Sequence, residues 1–327
     1  MRVAVTSQDG ARDFDFTQGG PWGSFGFELE RLGHLIVSLD ANPDAIIFNN
    51  YSYKLFKKFG ARVPRGRRVL IAWEPPSNLP SMYKRRNLAK FDNRFFPSPY
   101  WSKEFGGYSF DWPQGSSATD LSHNWLLRSD KCCMIQGNRW NLNYGNLYAF
   151  RRELARKMEF ELDIYGRDWN RGFTYDSKKV VKNFIVNFPF SRVDVTDIKN
   201  IGFQFPNYIG AVKEKLDTLR QYKYTVVCEN SLQYVSEKLI DALLAGTVPI
   251  YIGPNLREFG FPEGIALSIP PTTSSVINAF QLLRNDRRTS KRILAAGKDF
   301  LATDRYRQIQ NIEVLTKLSL DVAKNLK

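Results

Sequence analysis

Two places in this chain carry residue types that could do chemistry. The first begins where a β-rich apolar run, Tyr224 to Cys228, gives way to Glu229, Asn230 and Ser231. Ser236, Glu237 and Lys238 then open a helical pattern, with Leu239, Ala242, Leu243 and Leu244 on one face and Gly246 as its stop. Free backbone N–H groups and a cation meet at such a start, which is a chemistry that holds phosphate. Glu237 adds a carboxylate able to accept two hydrogen bonds from a vicinal diol such as a ribose. A plainer reading makes Ser236 a helix cap and Glu237 a charge that balances the helix dipole. The second place is Glu74, which ends the apolar run Val69 to Trp73 and precedes Pro75 and Pro76. Two prolines stiffen the loop behind it, so Glu74 suits a general base; the plainer reading is an exposed loop carboxylate.

The elements that must position these residues follow from hydrophobic period. Val248 to Ile252 reads as a second buried strand, so Tyr222 to Pro254 forms a strand, helix and strand whose ligand belongs at the carboxyl end of the first strand. Further strands are expected at Arg2 to Thr6, Ala45 to Phe48, Phe91 to Phe96, Lys131 to Gln136, Leu162 to Tyr165 and Ile265 to Ile269. Helices are expected at Phe27 to Leu32, Leu147 to Met158, Thr273 to Arg284 and Thr289 to Leu301, with a last one from Asp304. This alternation argues for parallel α/β sheets. A domain linker is expected near residues 115–130, and residues 176–205 are poorly patterned.

Asp9 to Gly26 is a loop rich in glycine and aromatics, including Gly19, Gly20, Pro21 and Trp22, that could wrap a ligand. It lacks the Lys-Ser/Thr pair of a P-loop, and the Asp13-x-Asp15 pair is read as a chance match rather than a metal site. Trp22, Trp101, Trp112 and Trp125 suit either the C–H face of an acceptor sugar or core packing; Trp22 and Trp101 are the acceptor-binding candidates.

With 327 residues, two ordinary domains fit, and 43% apolar against 24% charged residues reads as globular. No run of about eighteen apolar residues exists, so no spanning segment is expected. Cys132, Cys133 and Cys228 do not suggest a disulfide framework, and a reducing cytoplasm is expected. The net charge of +14 includes seven basic residues and no acid from Lys54 to Arg68. Such patches attract nucleic acid, an anionic membrane face or an anionic nucleotide sugar, though solvated surface explains the Lys54 cluster as well.

Taken together, Tyr222, Lys223, Tyr224, Glu229, Asn230, Ser231, Tyr234, Ser236, Glu237, Lys238, Gly246, Val248, Pro249, Ile250, Gly253 and Pro254 stand in a telling order. They resemble the signature of the family 10 glycosyltransferases, the α-1,3/4-fucosyltransferases. Ser236 replaces the family's usual Thr, and the turn before Tyr234 is shorter than in some relatives. The run Leu147 to Arg151 and the residues Tyr165, Gly166 and Trp169 are similar to two further family features.

The resemblance implies a GT-B arrangement of two facing Rossmann-like domains with the site between them. Residues 1–125 would bind the acceptor and carry the base, residues 126–303 would bind GDP-fucose, and a helix in 304–327 could return to the first domain. It implies inverting transfer of L-fucose to a glycan containing N-acetylglucosamine or glucose. Glu74 would be the base; Arg151 and Lys238 would hold the diphosphate; Glu237 would hold the ribose or fucose, Tyr234 the sugar or phosphate, Asn230 the nucleotide, with Ser236 in the donor site. Independently of the resemblance, the poor patterning of residues 176–205 is open to a reading as an insertion on the acceptor side. Because two cations can do a metal's electrostatic work, no metal is expected to be required, with Mg²⁺ or Mn²⁺ stimulation left open. The expected partners are GDP-fucose and a glycan acceptor, with peripheral contact with an anionic membrane face left open, and not nucleic acid. Rival readings are another nucleotide-sugar donor or a non-catalytic basic binder.

Overall fold

The computed structural model describes residues 1–8, 12–16, 22–115, 125–188, 191–193 and 195–326. Gly19, Gly20 and Pro21 of the expected ligand-wrapping loop, and residues 116–124 of the expected linker, lie outside the described residues. The chain divides into two compact units, one of Met1–Gln114 with Arg307–Lys327 and the other of Gly115–Tyr306.

The first unit is a parallel sheet of β1 (Arg2–Val5), β2 (Leu35–Ile36), β3 (Ala45–Asn49), β4 (Arg68–Ile71), β5 (Asn93–Phe96) and β6 (Tyr108–Ser109), in the order β2-β1-β3-β4-β5-β6. Helices α1 (Trp22–Arg31), α2 (Tyr53–Lys58), α3 (Arg85–Leu88) and α4 (Pro99–Phe105) connect the strands. Every residue of β3 is buried, as befits a central parallel strand covered on both faces. The strand order reverses beside β1, which places the ligand-accepting crevice of this unit at the carboxyl ends of β1 and β3.

The second unit is built from β7 (Ser129–Ile135), α5 (Tyr148–Lys157), β8 (Leu162–Tyr165), α6 (Phe173–Asn187), α7 (Val195–Asn200), β9 (Tyr208–Gly210) and α8 (Lys215–Leu219). It continues with β10 (Tyr222–Cys228), α9 (Lys238–Leu244), β11 (Val248–Ile252), β12 (Leu267–Ser268), α10 (Thr273–Asn285) and α11 (Arg287–Leu301). Its six parallel strands run β12-β11-β10-β7-β8-β9, the Rossmann order, with the reversal between β7 and β10. All seven residues of β10 are buried, and its partners are β7 and β11. The chain passes from the second unit to the first within α12 (Asp304–Gln308), which leads to α13 (Asn311–Lys324). Leu315, Leu318 and Val322 of α13 share a core with Phe25 and Leu29 of α1.

Local chemistry sets several boundaries. Gly246, at φ +62°, ends α9 in a Schellman pattern: its N–H donates to Leu243 O and that of Thr247 to Ala242 O. Asp286 caps α11 by accepting the N–H groups of Arg288 and Thr289. Gly166, at φ +130°, closes β8 where an added Cβ would lie 2.2 Å from Gln136 O. The three cysteines are free and buried, and burial pushes the Cys133 thiol up to about 12. Among the described residues, no helix is long and apolar enough to cross a membrane.

Residues 176–205 are not featureless: they contain most of α6 and all of α7. The helical period is masked because α6 keeps Val181 and Ile185 on an exposed face while Asp176, a polar residue, faces inward. Next to it, Arg152 of α5 is buried over the Trp140 ring and pairs with Asp197 of α7 at 2.6 Å. Removing one partner of a buried pair strands the other charge in low dielectric. Asp197→Ala is therefore expected to cost about 3–5 kcal/mol, read as a lowered urea midpoint of unfolding.

Candidate functional site

In the second unit the carboxyl ends of β7 and β10 bring together most of the donor-site candidates. Arg151, in the first turn of α5, is only 2% exposed. Its guanidinium donates to Cys228 O at 2.7 Å and to Asn230 Oδ1 at 2.9 Å, and lies over the Tyr148 ring at 4.7 Å. Among the described residues no carboxylate pairs with it. Asn230 in turn donates from Nδ2 to the Tyr234 hydroxyl at 2.9 Å. The turn after β10 is tied to α5 because Leu147 N–H donates to Asn230 O and Asn146 bridges to Ser231.

Glu229 organises the other half of the site. It is fully buried and accepts the Ser236 N–H at 2.9 Å, the Ser236 hydroxyl at 2.6 Å and the Lys238 ammonium at 3.3 Å. Lys238 also donates to Ser236 Oγ at 2.7 Å. Burial works against the Lys238 charge, but Glu229 and then Glu237 more than offset it, and its pKa is raised. Arg151 is near enough to act on Lys238 in the opposite sense. Two cations thus approach one another in a largely buried place, an arrangement that attracts an anion.

Three polar atoms around these carboxyl ends are buried with no hydrogen-bond partner among the described residues: Arg151 Nε, Gln136 Oε1 and the Tyr251 hydroxyl. Gln136 follows β7 and donates to Cys228 O at 2.8 Å; Tyr251 lies on β11, close enough for Glu229 and Tyr234 to act on it. Buried polar groups are normally satisfied, so such atoms mark a place built for a polar ligand or ordered water.

Glu237 precedes α9 and is held by Lys215 of α8, whose ammonium reaches Glu237 at 3.3 Å and Asp241 at 2.6 Å. Burial alone would raise the Glu237 pKa, but Lys238 and Lys215 bring it down to about 2. It is therefore a carboxylate at neutral pH, an acceptor of hydrogen bonds rather than a proton donor.

The start of this helix differs from the sequence expectation. The helix opens at Lys238, not before, and Ser236 does not cap it, because Glu229 takes both Ser236 donors into the loop. The Ser236 N–H is therefore not available to an anion, and the nearby positive charge comes from the side chains of Lys238 and Arg151. Lys215, Gln136 and Tyr251 were not identified as site residues from sequence. Their signal is spatial, since Lys215 lies twenty-two positions from Glu237.

In the first unit Glu74 follows β4 at the carboxyl edge of the sheet. Asn50, held at φ +62°, accepts the N–H groups of Trp73 at 2.8 Å and Glu74 at 3.1 Å. Glu74 Oε2 accepts from Asn78 Nδ2 at 2.6 Å, and its carbonyl accepts the Tyr83 hydroxyl at 2.7 Å. Both backbone polar groups are thus fixed, and among the described residues Oε1 has no protein donor. Trp22 is half-buried, its ring centroid 5.1 Å from that of Trp73 and 4.9 Å from that of Phe14. Trp112, also half-buried, adjoins the same Trp73 ring.

Trp101 corrects the acceptor-binding expectation: it is 0% exposed, packed on α4 against Tyr83, so no sugar reaches its face. Trp125 packs on Tyr224 and donates to Lys223 O, at the amino end of β10 and away from the carboxyl edge. Asp13 accepts the Leu39 N–H at 2.7 Å, a structural bond.

The low Glu237 pKa fixes the sign of one pH effect. A carboxylate depressed in the fold stabilises above its ordinary value of 4.5, and this contribution is lost as pH falls toward about 2. Glu237→Gln removes that contribution. The urea midpoints of wild type and variant are expected to converge as pH is lowered from about 6 to about 3, with wild type the more stable at the upper end.

No family model matches the chain. Over 49 residues it is 41% identical to a fucosyltransferase-like protein of Arabidopsis thaliana, a stretch that is 14% of this chain and only 10% of that relative. A crystal structure of an α1,3-fucosyltransferase superposes with a TM-score of 0.57 at 14% identity, covering 99% of this chain and 89% of that one. The Anabaena protein HepE, solved in complex with UDP-glucose, superposes with a TM-score of 0.58 at 11% identity, covering 99% of both chains. The two Rossmann-like units are thus those of the GT-B glycosyltransferase fold.

Proposed function

We propose that the protein is an inverting glycosyltransferase that moves L-fucose from GDP-fucose to a hydroxyl of a glycan containing N-acetylglucosamine or glucose, in α-1,3 or α-1,4 linkage. The observation that carries this reading is Arg151, a buried guanidinium with no carboxylate partner among the described residues, set beside Lys238 at the reversal point of a Rossmann sheet. A diphosphate supplies the missing negative charge. Arg151 Nε, which has no hydrogen-bond partner among the described residues, is a donor suited to a phosphate oxygen.

In this mechanism Glu74 takes the proton of the acceptor hydroxyl as the oxygen forms its bond to the anomeric carbon. The bond from that carbon to the diphosphate oxygen breaks with its electron pair, and Lys238 and Arg151 stabilise the charge gathering on GDP. Glu237 accepts hydrogen bonds from the sugar, and Tyr234, Asn230 and Ser236 support the donor. Trp22 serves the acceptor. The two cations replace a metal, so a chelator is not expected to abolish transfer.

The donor is inferred from the signature around Glu229–Lys238 and from the crystal structure of an α1,3-fucosyltransferase with GDP-fucose, to which the fold is similar. A second reading, a uridine-diphosphate-sugar donor, is favoured by the full-length likeness to HepE with UDP-glucose. Thermal shift separates them: GDP is expected to raise Tm and UDP to do so far less, whereas the reverse ranking selects the second reading.

Transfer from labelled GDP-fucose to a panel of glycans tests the activity itself. Glu74→Gln is expected to lower kcat by at least about a hundredfold while GDP affinity stays within a few fold. Retained turnover removes Glu74 from the role of base. Lys238→Ala is expected to weaken GDP binding by about tenfold or more in calorimetry, and an unchanged Kd refutes the diphosphate grip.

A further inference from the structure

We propose that the outer face of α6, with Phe188 at its end, docks the protein on an anionic lipid surface. This goes beyond the transferase reading and does not depend on it. The inner face of α6 is fixed: Asp176 accepts Trp140 Nε1–H at 2.7 Å and Gly202 N–H at 3.0 Å, and Val180 packs with Trp140 and Leu142. The opposite face carries large apolar side chains in water. Val181, Ile185 and Phe188, at i, i+4 and i+7, are 57%, 69% and 68% exposed, and the Phe184 ring adjoins that of Phe188. Exposed apolar groups gathered on one helical stripe, rather than scattered singly, mark a surface built to be covered.

Charge says what covers it. Lys178, Lys179 and Lys182 are exposed on α6, and Arg192 and Lys199 are exposed in the segment that follows. The acids of residues 173–199 are Asp176, Asp194 and Asp197. Asp176 is buried beneath the helix and Asp197 is buried in its pair with Arg152; Asp194 lies outside the described residues. Every exposed charge described on α6 is therefore positive. Apolar side chains that enter the acyl boundary, flanked by lysines whose stems reach back to headgroup phosphates, form the pattern of an interfacial helix on anionic lipid. An acidic protein partner would meet the lysines but leave the apolar stripe needing a matching groove; a bilayer satisfies both without one.

The test is co-sedimentation of the full chain with vesicles of phosphatidylcholine alone or with about 30% phosphatidylglycerol. Binding is expected to the anionic vesicles, falling at least about tenfold at about 0.5 M salt. Ile185→Asp with Phe188→Asp should abolish it, and Lys178→Gln with Lys179→Gln and Lys182→Gln should weaken it at least about tenfold. All five residues are exposed, so unchanged circular dichroism and urea midpoints are expected for both variants. Absence of binding to anionic vesicles, equal binding to neutral ones, or full binding by either variant overturns the proposal. So does a lipid-free dimer that Ile185→Asp dissociates, which would make a second copy of the chain the occupant of this face.

Discussion

Keeping the Arg151 guanidinium buried with no carboxylate partner among the described residues is the constraint on which the carboxyl edge of the second unit depends. An arginine cannot escape it by losing its proton, so the fold must supply dipoles in place of a counter-ion. It does so with the carbonyl that ends β10, the side-chain oxygen of Asn230 and the face of Tyr148. Each of these is itself held: Cys228 O also takes Gln136 Nε2–H, and Asn230 is braced by Tyr234. The nearby acid, Glu229, is committed to Ser236 and Lys238 and is not paired with Arg151. The result is a cradle in which, among the described residues, the Arg151 guanidinium is held by dipoles rather than by a carboxylate, the electrostatic preorganisation that the proposed leaving diphosphate would use.

Sheet topology explains why the cradle stands where it does. Between β7 and β10 the connections depart in opposite directions, so no crossover covers the carboxyl ends and the loops there are free to carry polar side chains. The first unit reaches the same result by another order, reversing beside β1, and uses Asn50 at the end of β3 as its brace. In both units an asparagine just past a buried strand ties down the residues that could do chemistry. Asn50 fixes the backbone of Glu74, and Asn230 links Arg151 to Tyr234. An amide suits this task because it donates and accepts at once without bringing charge to a site whose charge must be controlled.

The sequence made the central strands legible because continuous burial leaves a continuous apolar record. Leu162–Tyr165 and Val248–Ile252 lie where the pattern put them, and β10 extends two residues earlier than its apolar run. Legibility ended where distant contacts decide. Ser236 has the composition of a helix cap, yet Glu229, seven positions away, draws it out of that role. Trp101 follows Pro-Ser-Pro-Tyr, which suggests a loop; instead Pro99 takes the first helical position and the indole turns into the core. In α6 an inward aspartate and outward valine and isoleucine invert the usual period, so the helix was hidden by the very residues that make its surface unusual.

The grip and the choice of donor are separate physical problems. On the proposed reading Arg151 and Lys238 read negative charge, and a diphosphate presents the same charge whatever base or sugar it carries. The same fold accordingly accommodates structures solved with GDP-fucose and with UDP-glucose. Discrimination between bases needs hydrogen bonds whose loss strands a buried polar group, a penalty that a charge-reading pair cannot impose. On the proposed reading, two cations buried together would hold a leaving diphosphate and, by the same physics, would leave specificity to neutral donors and acceptors elsewhere in the site.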